Sequence, residues 1–158
     1  MYYLGIDLGS SSIKISLVDE TSGKSISVLQ EPEEEMSMYA NKKGWADQTA
    51  EDWWSYVCKG IKKIKKNTSI SRNDIVGIGI SYQMHGLVLV DKKGKTLRKS
   101  IIWCDSRAVE IGNQAYNEIG PTKCVERLLN SPANFTSSKL RWVKNNEAEI
   151  YKNIEKFM

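Results

Sequence analysis

The amino-acid sequence predicts an α/β fold, a mixed sheet flanked by helices, and three observations carry that expectation. Three short runs of alternating apolar residues open the chain, separated by polar turns, and read as an antiparallel meander. A long segment with apolar residues at helical spacing follows, and then a further strand. The second half holds a hairpin pattern and several helical segments punctuated by Gly and Pro.

In chain order, Tyr2 to Gly9 reads as a strand in which Leu4, Ile6 and Leu8 alternate. Ser10 to Ser12 is a tight polar turn. Ile13 to Asp19 and Ser25 to Gln30 are the next two strands, around a Thr21-Ser22-Gly23 turn. A loop with Gly44-Trp45-Ala46-Asp47-Gln48 leads to a helix starting at Thr49, with Asp52 as a weak capping box. Trp53, Val57, Ile61 and Ile64 form its apolar face, and lysines at its far end complement the helix dipole. In the strand Ile75 to Ser81, Val76, Ile78 and Ile80 alternate with Gly77, Gly79 and Ser81, a bare face that invites close approach. Leu87 to Val90 and Thr96 to Ile102 form a hairpin around Lys93-Gly94. Asp105 begins a helix carrying Ala108, Ile111, Ala115 and Ile119, which Gly120 and Pro121 end, and Pro121 begins another. Thr136 caps a further helix with Leu140 and Val143 inward, continued by Glu147 to Ile154, and Phe157-Met158 starts a strand.

Composition narrows the function classes. The 158 residues are enough for one ordinary domain, and 41% apolar with 27% charged residues is globular. The net charge of +4 owes much to Lys62, Lys63, Lys65 and Lys66, read as the solvated end of a helix. Nucleic-acid binding would ask for basic residues interleaved with aromatics or a known module. Glu31 to Glu35 is a short acidic run. The three cysteines, Cys58, Cys104 and Cys124, make no CxxC pair, so neither a disulfide framework nor a zinc site is expected, in keeping with a reducing cytoplasm. No basic n-region precedes the first apolar residues and no run is long enough to span a bilayer.

Three stretches carry chemistry. In Gly5-Ile6-Asp7-Leu8-Gly9-Ser10-Ser11-Ser12, followed by Lys14, an acid stands near the end of a buried strand before a small-residue turn. Clustered backbone N–H groups there can cradle phosphate oxygens, and the carboxylate can hold Mg²⁺ through water. The spacing supports an ordinary polar hairpin equally well. In Gln83-Met84-His85-Gly86 the amide and imidazole offer directional hydrogen bonds to sugar hydroxyls and Met an apolar wall. By itself this stretch reads first as a histidine satisfied in a loop, and with a single histidine there is no His pair for a metal or relay. In Trp103-Cys104-Asp105-Ser106-Arg107, Trp can lie against a sugar's C–H face. Asp105 can accept from a hydroxyl or cap a helix, and Arg107 can bind substrate or brace Asp105.

Taken together these residues resemble the FGGY carbohydrate kinase family, and within it the xylulokinases. Gly5 to Ser11 resembles the first phosphate motif. Gly44-Trp45-Ala46-Asp47-Gln48 with Trp53-Trp54 resembles the loop and helix that follow it. Gln83-Met84-His85-Gly86 resembles the sugar motif of xylulokinases, and Trp103 to Arg107 the Trp-x-Asp-x-Arg pattern. Phe135 to Trp142 and Asn146 to Phe157 resemble the helical segment after it. Ser10 where Thr is frequent, Cys104 where Asn is frequent, and Lys14 where some relatives carry Arg are mild departures.

The resemblance implies a ribonuclease-H-like core, as in actin and hexokinase ATPases, with residues 1–158 an incomplete N-terminal part of the first domain. It implies ATP-dependent phosphorylation of D-xylulose with ATP and Mg²⁺ as cofactors. Asp7 would be the acid near metal and phosphates, with Gly9, Ser10, Ser11, Ser12 and Lys14 at the phosphates. Gln83, Met84, His85, Trp103, Asp105 and Arg107 would line the sugar site. The family's general-base Asp and second domain lie beyond residue 158, so the chain alone is expected to be inactive. Exposed core surface is expected with it, and a homodimer is one assembly this allows. Gluconokinase, ribulokinase and glycerol kinase are the rivals inside the family; Gln83-Met84-His85-Gly86 argues against glycerol kinase, whose corresponding stretch carries an Arg-Glu pair. A non-catalytic sugar- or nucleotide-binding module is the rival outside it.

Overall fold

The computed structural model describes residues 1–158. The chain divides into two compact units. The first is Met1–Ser37 with Glu51–Gln83, the second Met38–Ala50 with Met84–Met158.

The first unit is the predicted meander completed by one crossover. Strands β1 (Tyr2–Leu8), β2 (Ile13–Asp19), β3 (Ser25–Glu31) and β5 (Ile75–Tyr82) form a sheet in the order β3-β2-β1-β5. The meander pairs antiparallel and β5 lies parallel to β1, so the sheet is mixed. A parallel neighbour needs a crossover, and α1 (Ala50–Thr68) supplies it. One face of the sheet buries Leu4, Ile6, Ile13, Ile15 and Leu17 with Val57 and Ile64 of α1. The alternation read in β1 and β2 is therefore a face buried under a helix. At Gly60 the helix comes so close that a Cβ would meet Ile15 Cδ1 at 2.5 Å.

Strand β5 is an edge, and Val76, Ile78, Ile80 and Tyr82 on it are exposed. Its glycines behave differently from expectation. A Cβ at Gly77 would meet the Tyr3 ring at 3.1 Å, and one at Gly79 would meet nothing. The basic end of α1 is also not wholly solvated. Lys59 and Lys63 ion-pair with Glu31, which is wholly buried, because a carboxylate at the end of β3 must be neutralised once the helix covers it.

The second unit is built from short elements. β4 (Asp47–Gln48) pairs with β7 (Ser100–Ile101), and β6 (Leu89–Val90) with β8 (Lys156–Phe157). The expected hairpin is present: Leu87 and Ile101 exchange hydrogen bonds of 2.8 and 3.1 Å, and the turn closes at Asp91, whose side chain accepts from Lys93 and Lys95. The strand expected at Phe157 is β8. Leu87, Leu89, Ile101 and Val143 make the core.

Three helix boundaries differ from the sequence reading. α2 spans Val109–Ile119, not from Asp105, and no side chain caps it. Gly120 at φ 95° turns the chain into α3 (Pro121–Leu128), as Gly-Pro led one to expect. α4 (Thr136–Asn146) has Phe135 as its cap residue, because the Thr136 hydroxyl donates to the Gly86 carbonyl at 2.9 Å instead of capping. The helical run breaks at Glu147 before α5 (Ala148–Lys152), since that residue's carboxylate is drawn to Arg98. No helix is long and apolar enough to cross a membrane.

Candidate functional site

The first unit carries the acid and the turn. Asp7 lies half-buried near the end of β1, directly across from Lys14 on β2 and from Ser81 on β5. The period of two in each strand puts these three side chains on the sheet face opposite α1. They line a cleft together with Gly5, Ser16 and Gly79, residues whose small side chains leave the backbone open. Gly9 to Ser12 make the β1–β2 turn, with Ser12 buried and Ser11 exposed. The turn is tight: a Cβ at Gly9 would meet the Ser12 carbonyl oxygen at 2.8 Å. It is pinned by the Met36 N–H, which donates to the Ser11 carbonyl at 2.8 Å. Gln83 closes this unit, its N–H donating to the Leu8 carbonyl at 3.0 Å.

A metal and a nucleotide are implied here, and the residues fit them. No group of three or more His, Cys, Asp or Glu side chains could hold a metal ion. A lone carboxylate beside a small-residue turn suits Mg²⁺, which keeps several waters and takes one or two carboxylates plus phosphates. Asp7 would hold it, and Lys14 would supply the cation opposite.

The second unit carries Met84, His85 and the Trp103 to Arg107 turn. Met84 is 66% and Trp103 50% exposed, which leaves both as apolar surface. His85 sits at φ 62° with its ring stacked on Phe135, centroids 4.7 Å apart and planes 12° from parallel. It lines a groove with Phe135, Thr136, Leu140, Arg141 and Tyr151.

Asp105 and Arg107 are both wholly buried and ion-paired to each other. The Asp105 carboxylate accepts from the Ala46 N–H at 2.5 Å and from the Arg107 N–H and Nε at 2.9 Å. Arg107 Nη2 reaches both Asp105 and Asp47 at 2.7 Å, and its guanidinium lies 4.1 Å from the Trp45 ring and 5.2 Å from that of Trp142. Burial alone would push the Arg107 guanidinium down, but Asp105 and Asp47 hold it above its ordinary value. The Trp45-Ala46-Asp47 loop and the Asp105-Ser106-Arg107 turn are thus one polar frame, with Arg98 joining it to Glu147. A buried fork-shaped cation demands two carboxylates, and that is why Asp105 braces instead of capping.

Sequence reasoning missed Lys139 and Asn134. Lys139 is wholly buried, and its Nζ donates to the carbonyls of His85 at 2.6 Å, Ile102 at 3.0 Å and Trp103 at 3.4 Å. Burial pushes this ammonium down to about 8, opposed by the Asp105 and Cys104 charges and aided by Arg107. Asn134 donates its amide to the Trp103 carbonyl and keeps a buried Oδ1 without a partner. A lysine one helical turn before Val143 and next to Leu140, on the apolar side of a helix, was the one available signal for the first.

Residues 2–158 match the model of the FGGY family of carbohydrate kinases, N-terminal domain. The chain belongs to that family. A xylulose kinase of Staphylococcus epidermidis is 38% identical to this FGGY chain over 157 residues, covering 98% of the chain and 30% of the relative. The crystal structure of a xylulose kinase from Brucella ovis superposes on the FGGY chain with a TM-score of 0.89 at 30% identity, covering 100% of it and 32% of that protein. A gluconate kinase from Lactobacillus acidophilus shares the fold, with a TM-score of 0.84 at 24% identity over 99% of this chain and 31% of its own. The FGGY chain therefore spans about a third of the length of the relatives it matches. These neighbours carry the actin- and hexokinase-like ATPase fold, and the mixed sheet of the first unit accords with it.

Proposed function

We propose that the protein to which this FGGY chain belongs phosphorylates D-xylulose at its terminal hydroxyl with ATP, giving D-xylulose 5-phosphate. The observation that carries the reading is the 98% coverage of the chain by a relative named xylulose kinase at 38% identity. The arrangement within each unit supports it. One unit offers an acid, a cation and a tight serine turn suited to phosphates; the other offers exposed Met84 and Trp103 beside a fixed imidazole, suited to a polyol.

In this reading Asp7 holds the metal through water, and Gly9, Ser10, Ser11, Ser12 and Lys14 bind the ATP phosphates. Bound Mg²⁺ supplies neutralisation of phosphate charge, which together with positioning is most of what phosphoryl transfer asks of a protein. Gln83, Met84, His85 and Trp103 orient the sugar, while Asp105 and Arg107 hold the Trp103 turn against the Trp45 loop. The base that takes the sugar hydroxyl proton is not among these residues. Asp91 is engaged in its own turn, and Asp74 accepts from the Ser71 N–H in the capping box of a short 3-10 segment. The reading includes a cytoplasmic enzyme of pentose metabolism.

The test is ADP release from the longest product of this reading frame on addition of D-xylulose, with Asp7→Ala as control. Release that needs both the sugar and Asp7 supports the proposal. Release with gluconate or ribulose but not D-xylulose keeps the kinase and overturns the sugar. Silence with every sugar, from folded protein, favours a binding module.

A further inference from the structure

Lys139 stands where local chemistry disfavours a cation. It lies in the first turn of α4, where side chains point back toward the positive end of the helix dipole. It is wholly buried, and no carboxylate lies within ion-pair distance. An apolar side chain packed with Leu140 and Val143 would avoid both costs. What the ammonium does instead is spend every proton on the main chain. One goes to His85, one to Ile102 and one to Trp103. A single nitrogen therefore ties together the two segments that expose Met84 and Trp103. The neighbouring contacts act on the same segments: Thr136 holds the Gly86 carbonyl and Asn134 the Trp103 carbonyl. His85 has φ 62°, a conformation costly for a residue with a Cβ, and its carbonyl takes the shortest of the three Lys139 bonds.

We propose that Lys139 is a positioning residue: its ammonium, at the start of α4, sets the mutual placement of the Met84-His85 and Trp103 segments and so the affinity of the site for its polyol substrate. The inference rests on the sugar-site reading above. Local rules broken without gain in stability concentrate at functional sites, and the broken rules here are burial and dipole at one side chain.

Two readouts test it. His85 is the only histidine of the chain, so its imidazole Hε1 gives one unambiguous NMR signal, shifted upfield by the stacked Phe135 ring. In the 158-residue chain, Lys139→Met is expected to move that signal toward its free-imidazole position while the dispersed methyl signals of the two cores persist. In the longest product of the reading frame, the same change is expected to raise KM for D-xylulose on the order of tenfold and leave KM for ATP unchanged. Lys139→Gln, which keeps a donor for the His85 carbonyl, serves if the methionine variant does not fold, with the same effects in smaller measure. An unmoved His85 signal in a folded variant overturns the inference. So does a moved signal with unchanged KM, or an equal rise in both KM values, which would mark a purely structural lysine. The NMR arm does not depend on turnover, so wild-type protein silent toward every sugar would sink the kinase reading and leave this placement to be judged by the spectrum.

Discussion

Arg107 Nη2 lies 2.7 Å from Asp105 Oδ2, and both side chains are wholly buried. That pair forms the frame on which the exposed Trp103 stands. Removing the Asp105 charge leaves the buried guanidinium with Asp47 as its one carboxylate partner, so Asp105→Asn is expected to cost about 3 kcal/mol of unfolding free energy. Urea unfolding of the two proteins measures it. A loss below about 1 kcal/mol would mean that Asp47 alone satisfies the guanidinium.

Gly9→Ala probes the serine turn. The added Cβ would meet the Ser12 carbonyl oxygen at 2.8 Å, so the turn must open. The expected stability loss is about 1 kcal/mol, with KM for ATP rising on the order of tenfold and KM for the sugar unchanged. Steady-state kinetics with each substrate varied separates the two. A selective rise in the sugar KM would remove the turn from the phosphate role.

Lys139 makes stability depend on alkaline pH. Burial lowers its pKa from the ordinary 10.5 to about 8, so the unfolded chain holds that proton more tightly. Between those values the folded form loses the proton first, and stability attributable to this group rises with pH. Below about pH 8 the full cost is present, on the order of 3 kcal/mol. Urea unfolding at pH 7.5 and pH 10 should therefore show wild type gaining on Lys139→Met. No gain would mean that the three carbonyls keep the ammonium charged.

Glu31 acts in the opposite sense. Burial raises its pKa, but the hydrogen bonds and charges of Lys59 and Lys63 outweigh it and leave the pKa below the ordinary 4.5. Its contribution is present above pH 4.5 and is lost as the pH falls through the lower folded value. Glu31→Gln should cost about 1 to 2 kcal/mol at pH 7, modest because both lysines remain partly exposed. The difference should vanish in strong acid; a constant difference would mean that shape, not charge, is what Glu31 supplies.

Much of the fold was legible. Alternation in β1 and β2 and the helical spacing of Val57 and Ile64 report burial on one face, and burial is what periodicity encodes. Gly120-Pro121 marked the α2–α3 junction because Gly permits the positive φ that ends one helix and Pro presets the φ that starts the next. The reading failed where a side chain had a distant partner. Asp105 and Thr136 are good caps by local chemistry, yet each is taken by a backbone group or side chain some fifty residues away.

The sequence by itself determined the family and the strands and helix of the sheet, because these rest on residue type, spacing and short-range backbone preference. Only the tertiary structure decided what the polar residues do. It turned Asp105 and Arg107 inward against Asp47 and the Trp45 loop, and it drew Lys139 to the carbonyls of His85 and Trp103. A buried charge must find partners wherever the fold brings them, and sequence separation says nothing about which carbonyl or carboxylate will be within 3 Å.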